Sequence, residues 1–538
     1  MSTEKSKLLN PAVAPLGGDI MPVKQELREL TSMALQLSLR QMVRQVMTIT
    51  DAAFQGHIGT KQLAGVALAG MWMGVPSAFI QFAIQAISTL CSQAYGAGNN
   101  QLVGIWLQTA IVFAVLGAIP VMIWYMFVGH MIGLTMDDPE TVAYGAEFAR
   151  VMAIGLIPQY IYGCLTTYFA TLGVIMPATF CSCFTMVLNI CFNQLFIYGW
   201  DGFGGFGFIG SPLATVASTC VQLLLFVTYT IVWKKYHADF WGGWSWDCVK
   251  KERVQIFLAL AIPMGASSVV DWASATLAGA FSGYLGPNIA AAQAVLNGLF
   301  GVVNSCVNGF SMSTQIRMSR YLGQGSAEGA KRVLFIGSSI VMGCSFVLLL
   351  FVLPFRRELF AIWSSDEVII DMCSDVIVVF VICILVAFSR FLLTSCMNAL
   401  SMANLNLIAN NIASWCVYVP LSYLLPITLG WGLDGFWWAD TLGEMLKAII
   451  LFWGVLRVDW HDAAEQAQCA AEAKDAAAEE TQELNALKND AMAATPPSFK
   501  SPAALTHTST PGRTPNRTLL RRAGSLTPQA KRTSSVRV

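Results

Sequence analysis

The chain has 538 residues, 55% of them apolar and only 12% charged, with a mean hydropathy of +0.57. A soluble domain averages about 25% charged residues, so this composition excludes one. Formal net charge is zero at pH 7, and no nucleic-acid partner is expected.

The amino-terminal MSTEKSKLLNPAV is polar and contains no signal-peptide core. Beyond it, apolar runs recur, each long enough for the roughly 20 residues of a transmembrane helix. Lipid cannot hydrogen-bond a backbone, which leaves helices or a closed barrel. The runs are too long and too uniformly apolar for barrel strands. Twelve helices are predicted, near 33–54, 63–90, 103–128, 143–170, 177–198, 211–233, 255–281, 289–312, 333–354, 371–401, 405–428 and 435–457. The expected fold is an all-α polytopic membrane protein of two pseudo-symmetric six-helix bundles, 33–233 and 255–457. A cytosolic segment 1–32, a linker 234–254 and a disordered cytosolic tail 458–538 complete it.

Lys and Arg set the orientation. Basic residues collect in KKYHADF…DCVKKER (Lys234 to Arg253) and RMSRYLGQGSAEGAKR (Arg317 to Arg332). Acidic residues collect in the opposite loops, at Asp137 to Glu140, Asp201 and Asp434, with Arg356-Arg357 the contrary signal. The basic loops and both termini are therefore expected in the cytosol. The fourteen cysteines are scattered, with no CxxC, and read as packing residues. The tail opens with HDAAEQAQCAAEAKDAAAEE, a candidate short amphipathic helix, and ends in a Ser, Thr, Pro and Arg mixture that cannot bury a core. It holds proline-directed Ser501, Thr510, Thr514 and Thr527, and RRAGS ending at Ser525, as candidate kinase sites. The sequon at Asn516 is discounted because the tail is expected in the cytosol. Glu4 with Leu8-Leu9 fits an acidic dileucine signal that sorting adaptors read, so a vacuolar or lysosomal membrane stands beside the plasma membrane as the address.

One repeat organises the chain. GHIGTKQLAGVAL begins at Gly56 and GYLGPNIAAAQAV at Gly283; SQAYGAG begins at Ser92 and SRYLGQG at Ser319. Both pairs are offset by 227 residues (283 minus 56; 319 minus 92). A shared offset marks an internal duplication. Six helices per half give both halves the same orientation, a parallel repeat of the kind found in transporters with a site between the halves.

TDAAFQGHIGTKQLAGVALA, TLCSQAYGAGNNQLVGIWLQ (Thr89 to Gln108) and QIRMSRYLGQGSAEGAK (Gln315 to Lys331) resemble, in this order, three segments of the eukaryotic multidrug and toxic compound extrusion (MATE) family. The likeness spans about residues 30 to 457. The major facilitator family, also a two-half fold, has a strongly basic loop where SQAYGAGNN has no basic residue. The resemblance implies an antiporter, with no enzymatic activity and no cofactor. It moves small organic solutes, most simply organic cations, against protons or sodium.

It also implies sites. An aspartate five residues before the first turn is the family's cation or proton site, and Asp51 with Gly56 has that spacing. A carboxylate in a membrane needs a partner, a cavity or a proton; the plain alternative is an acid at a helix end reaching water. Asn189 and Asn193 lie four apart on one helical face, and Thr215 follows on the sixth helix. Asn193 stands where relatives carry an acid; the plain alternative for the Asn pair is interhelical hydrogen bonding. In SSVVDWASATLAGAFSG, Asp271 and Thr276 fall on two family glutamates. Trp272 and Gln293 are grouped with them as substrate or proton residues. The family's tenth-helix acid is absent, and Arg390 lies near its place.

Further charges are weighed on spacing. Arg40, Arg44 and Asp51 share a narrow arc of the first helix, with Arg40 expected to reach the cytosolic surface and Arg44 to meet a cavity acid. Asp440 and Glu444 lie four apart in the twelfth helix, and Lys447 at i+3 is positioned to neutralise Glu444. The GxGxxG at Gly202 to Gly207 joins two membrane helices and follows no strand, so it is not a nucleotide site. An organic-anion carrier, a lipid-linked sugar flippase of the same superfamily and a transporter-like receptor remain as alternatives.

Overall fold

The computed structural model describes residues 20–134, 136–200, 204–364 and 366–472. Asp201, the Leu8-Leu9 pair, Asn516 and the phosphorylation candidates lie outside these described residues.

Twelve long helices run through the described residues. They are α1 (Val23–Ile58), α2 (Thr60–Gly96), α3 (Asn100–Gly133), α4 (Pro139–Thr171), α5 (Met176–Tyr198) and α6 (Gly207–Trp233) in the first half. The second half has α7 (Lys251–Gly283), α8 (Pro287–Gly323), α9 (Ala327–Val352), α10 (Ile377–Ala399), α11 (Ala403–Ala413, continued by π and α turns to Thr428) and α12 (Gly432–Arg457). A thirteenth helix, α13 (Trp460–Glu472), follows directly. Nine of the twelve are long and apolar enough to cross a bilayer on composition alone. The other three, α1, α11 and α12, carry polar and charged residues that turn out to build the central site.

The helices overrun the predicted bounds. α8 is 37 residues long, which at 1.5 Å each is about 55 Å, against a hydrocarbon core of about 30 Å. Hydropathy marks only the lipid-embedded part, so projecting ends escape it. α1 likewise begins at Val23, ten residues before its predicted start. The run 371–401 is broken at Val376 into Glu367–Asp375 and α10. α11 widens into π turns at Ser414–Tyr418 and Leu424–Thr428, close to Pro420 and Pro426, whose missing N–H groups each delete a ladder hydrogen bond.

Each half closes around its own aromatic core. In the first, Tyr168 and Phe169 meet edge to face at 5.1 Å. In the second, Phe380 meets Trp437 at 4.7 Å. The halves join by a symmetric exchange: α1 packs against α8, and α7 against α2.

The duplication is visible in detail at the inner end, the end that carries the basic loops. Gly96 and its repeat mate Gly323 cross backbone on backbone. A Cβ on Gly96 would strike the Arg320 carbonyl, and one on Gly323 would strike the Gln93 carbonyl. Gly98 and Gly325, 227 apart, both adopt positive φ, 80° and 74°. The next residues, Asn99 and Ser326, both cap the following helix, accepting from Leu102 N and Gly329 N. Thus both loops end one helix and start the next with the same three devices.

Hydrogen bonds between halves cluster at this end. Gln315 Nε2 donates to Ser88 Oγ (2.7 Å), and Thr89 Oγ1 donates to the Asn398 carbonyl (3.0 Å). Glu26 takes Arg317 Nε (2.5 Å) and Nη2 (2.6 Å) and the Tyr321 hydroxyl (2.9 Å), all buried; Glu29 takes Arg317 Nη1 (2.8 Å). Residues 23–32 are thereby part of the helical framework. α13 buries Trp460, Ala464, Ala467 and Ala471, and Asn99 Nδ2 donates to the Ala471 carbonyl (2.9 Å). Over its described residues, to Glu472, the candidate amphipathic stretch is therefore helical and bridges onto both repeat loops.

Candidate functional site

A central cavity of about 850 Å³ lies between the halves, lined by residues from every long helix except α3 and α9. Its charged lining is Asp51, Asp271, Asp440 and Glu444 against Arg40, Arg44, Arg390 and Lys447. Trp272, Phe300, Phe391, Tyr418 and Trp437 line it from the second half, and Phe82, Tyr160 and Tyr162 from the first.

In the first half, Asp51 on α1 faces α5 and α6. Asn193 Nδ2 donates to Asp51 Oδ1 (2.8 Å), and Thr215 Oγ1 donates to Oδ2 (3.2 Å). Asn189 and Asn193 are fully buried, and Asn193 Nδ2 also reaches the Asn189 side-chain oxygen at 3.1 Å. The i, i+4 spacing on α5 brings both amides to one face. Among the described residues no cation stands within ion-pair distance of Asp51. The sequence-predicted first-half set is thus one connected cluster.

The second half builds an acid and Asn cluster on the corresponding helices, but at other positions of the repeat. Asp271 is on α7, the counterpart of α1, and Asn406 and Asn410 on α11 reproduce the four-residue Asn spacing of α5. Asn410 Nδ2 donates to Asp271 Oδ2 (3.0 Å), and Asn406 Nδ2 to Ser267 Oγ (3.1 Å). Here, however, Lys447 Nζ sits 2.8 Å from Asp271 Oδ1 and 3.1 Å from Glu444 Oε1. Arg390 closes the network, with Nε 2.7 Å from Glu444 Oε2 and Nη1 3.9 Å from Asp271 Oδ2. Asp440 stands beside it and accepts from Cys383 Sγ at 3.3 Å. Two carboxylates and two cations offset one another, which a low-dielectric interior requires.

Expectations and geometry part in four places. Lys447 neutralises Glu444 but also reaches across to Asp271, which i+3 spacing could not reveal. Arg40 does not reach the inner surface: it lines the cavity, and its Nη1 is buried without a partner. Fourteen residues separate it from Glu26, about 21 Å along the helix, too far to snorkel. Arg44 meets no cavity acid; it is open to the cavity, and Asp51 lies seven residues on, about 10 Å away. Thr276 and Gln293 lie outside the cavity lining, the Gln293 oxygen buried without a partner. Trp272 does line it, its indole seated on Gly74, where a Cβ would strike the ring. Asn406 and Asn410 were missed, although the Asn-x-x-x-Asn spacing shared with α5 was there to read.

Two parallel six-helix repeats, a polar cavity between them and charges kept for its walls define a multi-pass membrane transporter rather than an enzyme. A family model described as MatE matches residues 37–195 and 263–424, once in each half and together more than half of the chain. The chain belongs to the MatE family. It is 26% identical over 452 residues to multidrug and toxin extrusion protein 1 of Xenopus tropicalis, covering 84% of this chain and 78% of that protein. The corresponding protein of Homo sapiens is 26% identical over 454 residues, with the same coverage. The fold matches the crystal structure of the eukaryotic MATE transporter AtDTX14 with a TM-score of 0.77 at 19% identity, over 84% of this chain and 99% of that one. A superfamily transporter from Pyrococcus furiosus matches at 0.72 and 16% identity, over 83% of this chain and 99% of that one.

Proposed function

We propose that the chain is a secondary antiporter that exports organic solutes in exchange for protons by alternating access, with Asp51 as the coupling carboxylate. The observation that carries this is the contrast between two acids on corresponding helices, at different registers. Asp271 has a built-in cation in Lys447, whereas Asp51 is held only by the neutral donors Asn193 and Thr215. An unpaired carboxylate in a membrane is costly until it takes a proton or a cation. Asn193 adds no negative charge to the site, so the field for a hard cation is weak and the proton is the favoured ion. Binding there shifts the balance between outward- and inward-open forms by its differential affinity. The cavity volume falls within the range for drug-sized solutes, and the relatives' names include multidrug and toxin extrusion. Organic cations would meet the second-half aromatic residues and Asp440. The plasma membrane or an acidified internal membrane would supply the gradient.

The test is ethidium movement in proteoliposomes of the purified full chain. Accumulation driven by an imposed pH gradient and abolished by nigericin supports the reading. Accumulation that follows a sodium gradient at fixed pH overturns the proton, and no movement under either gradient overturns antiport.

A further inference from the structure

The cavity's four cations are not equivalent. Arg390 and Lys447 are spoken for by Glu444 and Asp271. Arg40 and Arg44 are not: among the described residues, neither is within ion-pair distance of a carboxylate. Every acid on their own helix is already engaged. Glu26 and Glu29 bind Arg317 at the inner end, and Asp51 is held by Asn193 and Thr215 near the outer end. Asp51 apart, the other first-half residues that line the cavity are neutral. Tyr162 and Ser182 share a hydrogen bond of 3.3 Å, Gln222 donates to Ser182 at 3.2 Å, and Gln81, Gln85 and Gln159 complete that wall. At i and i+4 on one face, the two cations also repel each other. One of them, Arg40, keeps a buried terminal nitrogen with no acceptor. A buried donor to which a cation is attached is expensive to leave unmatched.

The charge is segregated as well as unpaired. The first-half wall carries Arg40 and Arg44 against Asp51; the second-half wall carries Arg390 and Lys447 against Asp271, Asp440 and Glu444. Counting ionised groups, the first wall is net +1 (two minus one) and the second net −1 (two minus three). Arginine pairs suit anionic groups, and both of the cavity's tryptophans, Trp272 and Trp437, stand on the opposite wall.

We propose that Arg40 and Arg44 form an anion-recognition subsite, so that this carrier's substrates include amphipathic organic solutes bearing a carboxylate, sulfonate or sulfate group. The anionic group seats on the two guanidiniums and the apolar body lies against Trp272, Phe300 and Phe391. This deepens the antiporter reading and rests on the same cavity, but the subsite can be tested without transport.

Lucifer yellow, an aromatic disulfonate, serves as probe, with fluorescence anisotropy on the purified full chain in detergent. The wild type binds it. Arg40→Gln and Arg44→Gln each weaken binding about tenfold to hundredfold, the loss of one hydrogen bond to a charged group. Arg44→Lys, which keeps the charge but loses the planar fork and guards against a folding artefact, weakens binding less than Arg44→Gln, by about threefold to tenfold. If binding follows this pattern while no solute is transported, the subsite stands and the antiporter reading falls. If the wild type fails to bind the dye, or the Gln variants bind it as the wild type does, the subsite is overturned, whatever ethidium transport shows.

Discussion

Asp51→Asn keeps the shape of the side chain and its contacts with Thr215 while removing the group that titrates. Its consequence can be worked out in numbers. One exchanged proton is worth 1.36 kcal/mol per unit of pH gradient, a tenfold concentration ratio. Asp271 and Glu444 are held by Lys447 and Arg390; of the two cavity carboxylates outside any ion pair, Asp51 and Asp440, Asp51 is the one proposed to cycle between protonated and ionised forms. With the membrane potential clamped at zero, limiting accumulation of a neutral or net-neutral solute should therefore rise about tenfold per pH unit, not hundredfold. In Asp51→Asn the slope should fall to zero, leaving at most downhill exchange. The assay is steady-state accumulation in proteoliposomes at gradients from zero to about two units, a span over which one and two protons differ hundredfold. A slope of two in the wild type would mean that a second carboxylate cycles. A slope retained in Asp51→Asn would remove Asp51 from coupling altogether.

Other outcomes follow from the same contacts. Glu444→Gln leaves Arg390 with only Asp271 at 3.9 Å and should destabilise the protein by about 3–5 kcal/mol, read as a lower Tm in detergent; the double variant Arg390→Met with Glu444→Met should recover part of it, and additive losses would contradict the network. Gly96→Ala places a Cβ on the Arg320 carbonyl and should cost the inner-closed state about 1–3 kcal/mol, seen as increased labelling of a cysteine introduced at the inner mouth of the cavity; unchanged labelling counts against the contact. Ending the chain after Glu472 should leave transport intact, whereas ending it at Asp459 removes the buried face of α13 and should lower Tm by several degrees; equal Tm values would show that α13 contributes nothing.

The twelve spans, the duplication and the first-half cluster were readable from the chain because each depends on local information. Run length marks a helix, a fixed offset marks a repeat, and four-residue spacing puts Asn189 and Asn193 on one face. What escaped is long-range. Lys447 and Asp271 are 176 residues apart, and nothing on α12 says that a lysine one turn beyond Glu444 will bend toward α7. Arg40 and Arg44 were placed correctly on the helix, yet their surroundings depend on which faces of α2, α4 and α6 turn inward. Helix ends escaped for another reason: polar residues beyond the bilayer lower hydropathy without breaking the helix, so hydropathy puts Glu26 in the cytosolic segment 1–32, whereas it lies on α1 and anchors Arg317.

In the alternating-access reading proposed above, the paired glycine crossing is a contact that the halves must break to part at the end of the basic loops. Bare backbone on bare backbone is a contact of very short range. A gap of 0.5–1 Å already forfeits a quarter to a half of the attraction between facing atoms. Flexible side chains would stretch across such a gap and hold a door ajar; Gly96 and Gly323 offer none. Because the crossing is made twice, by sequence-equivalent residues on α2 and α8, the two contacts release together. The door is then either shut or clear, with little stable ground between. For the proton-driven exchanger proposed above this matters as much as affinity. A passage ajar at both ends would let protons slip through uncoupled, and a latch of this range leaves few such moments.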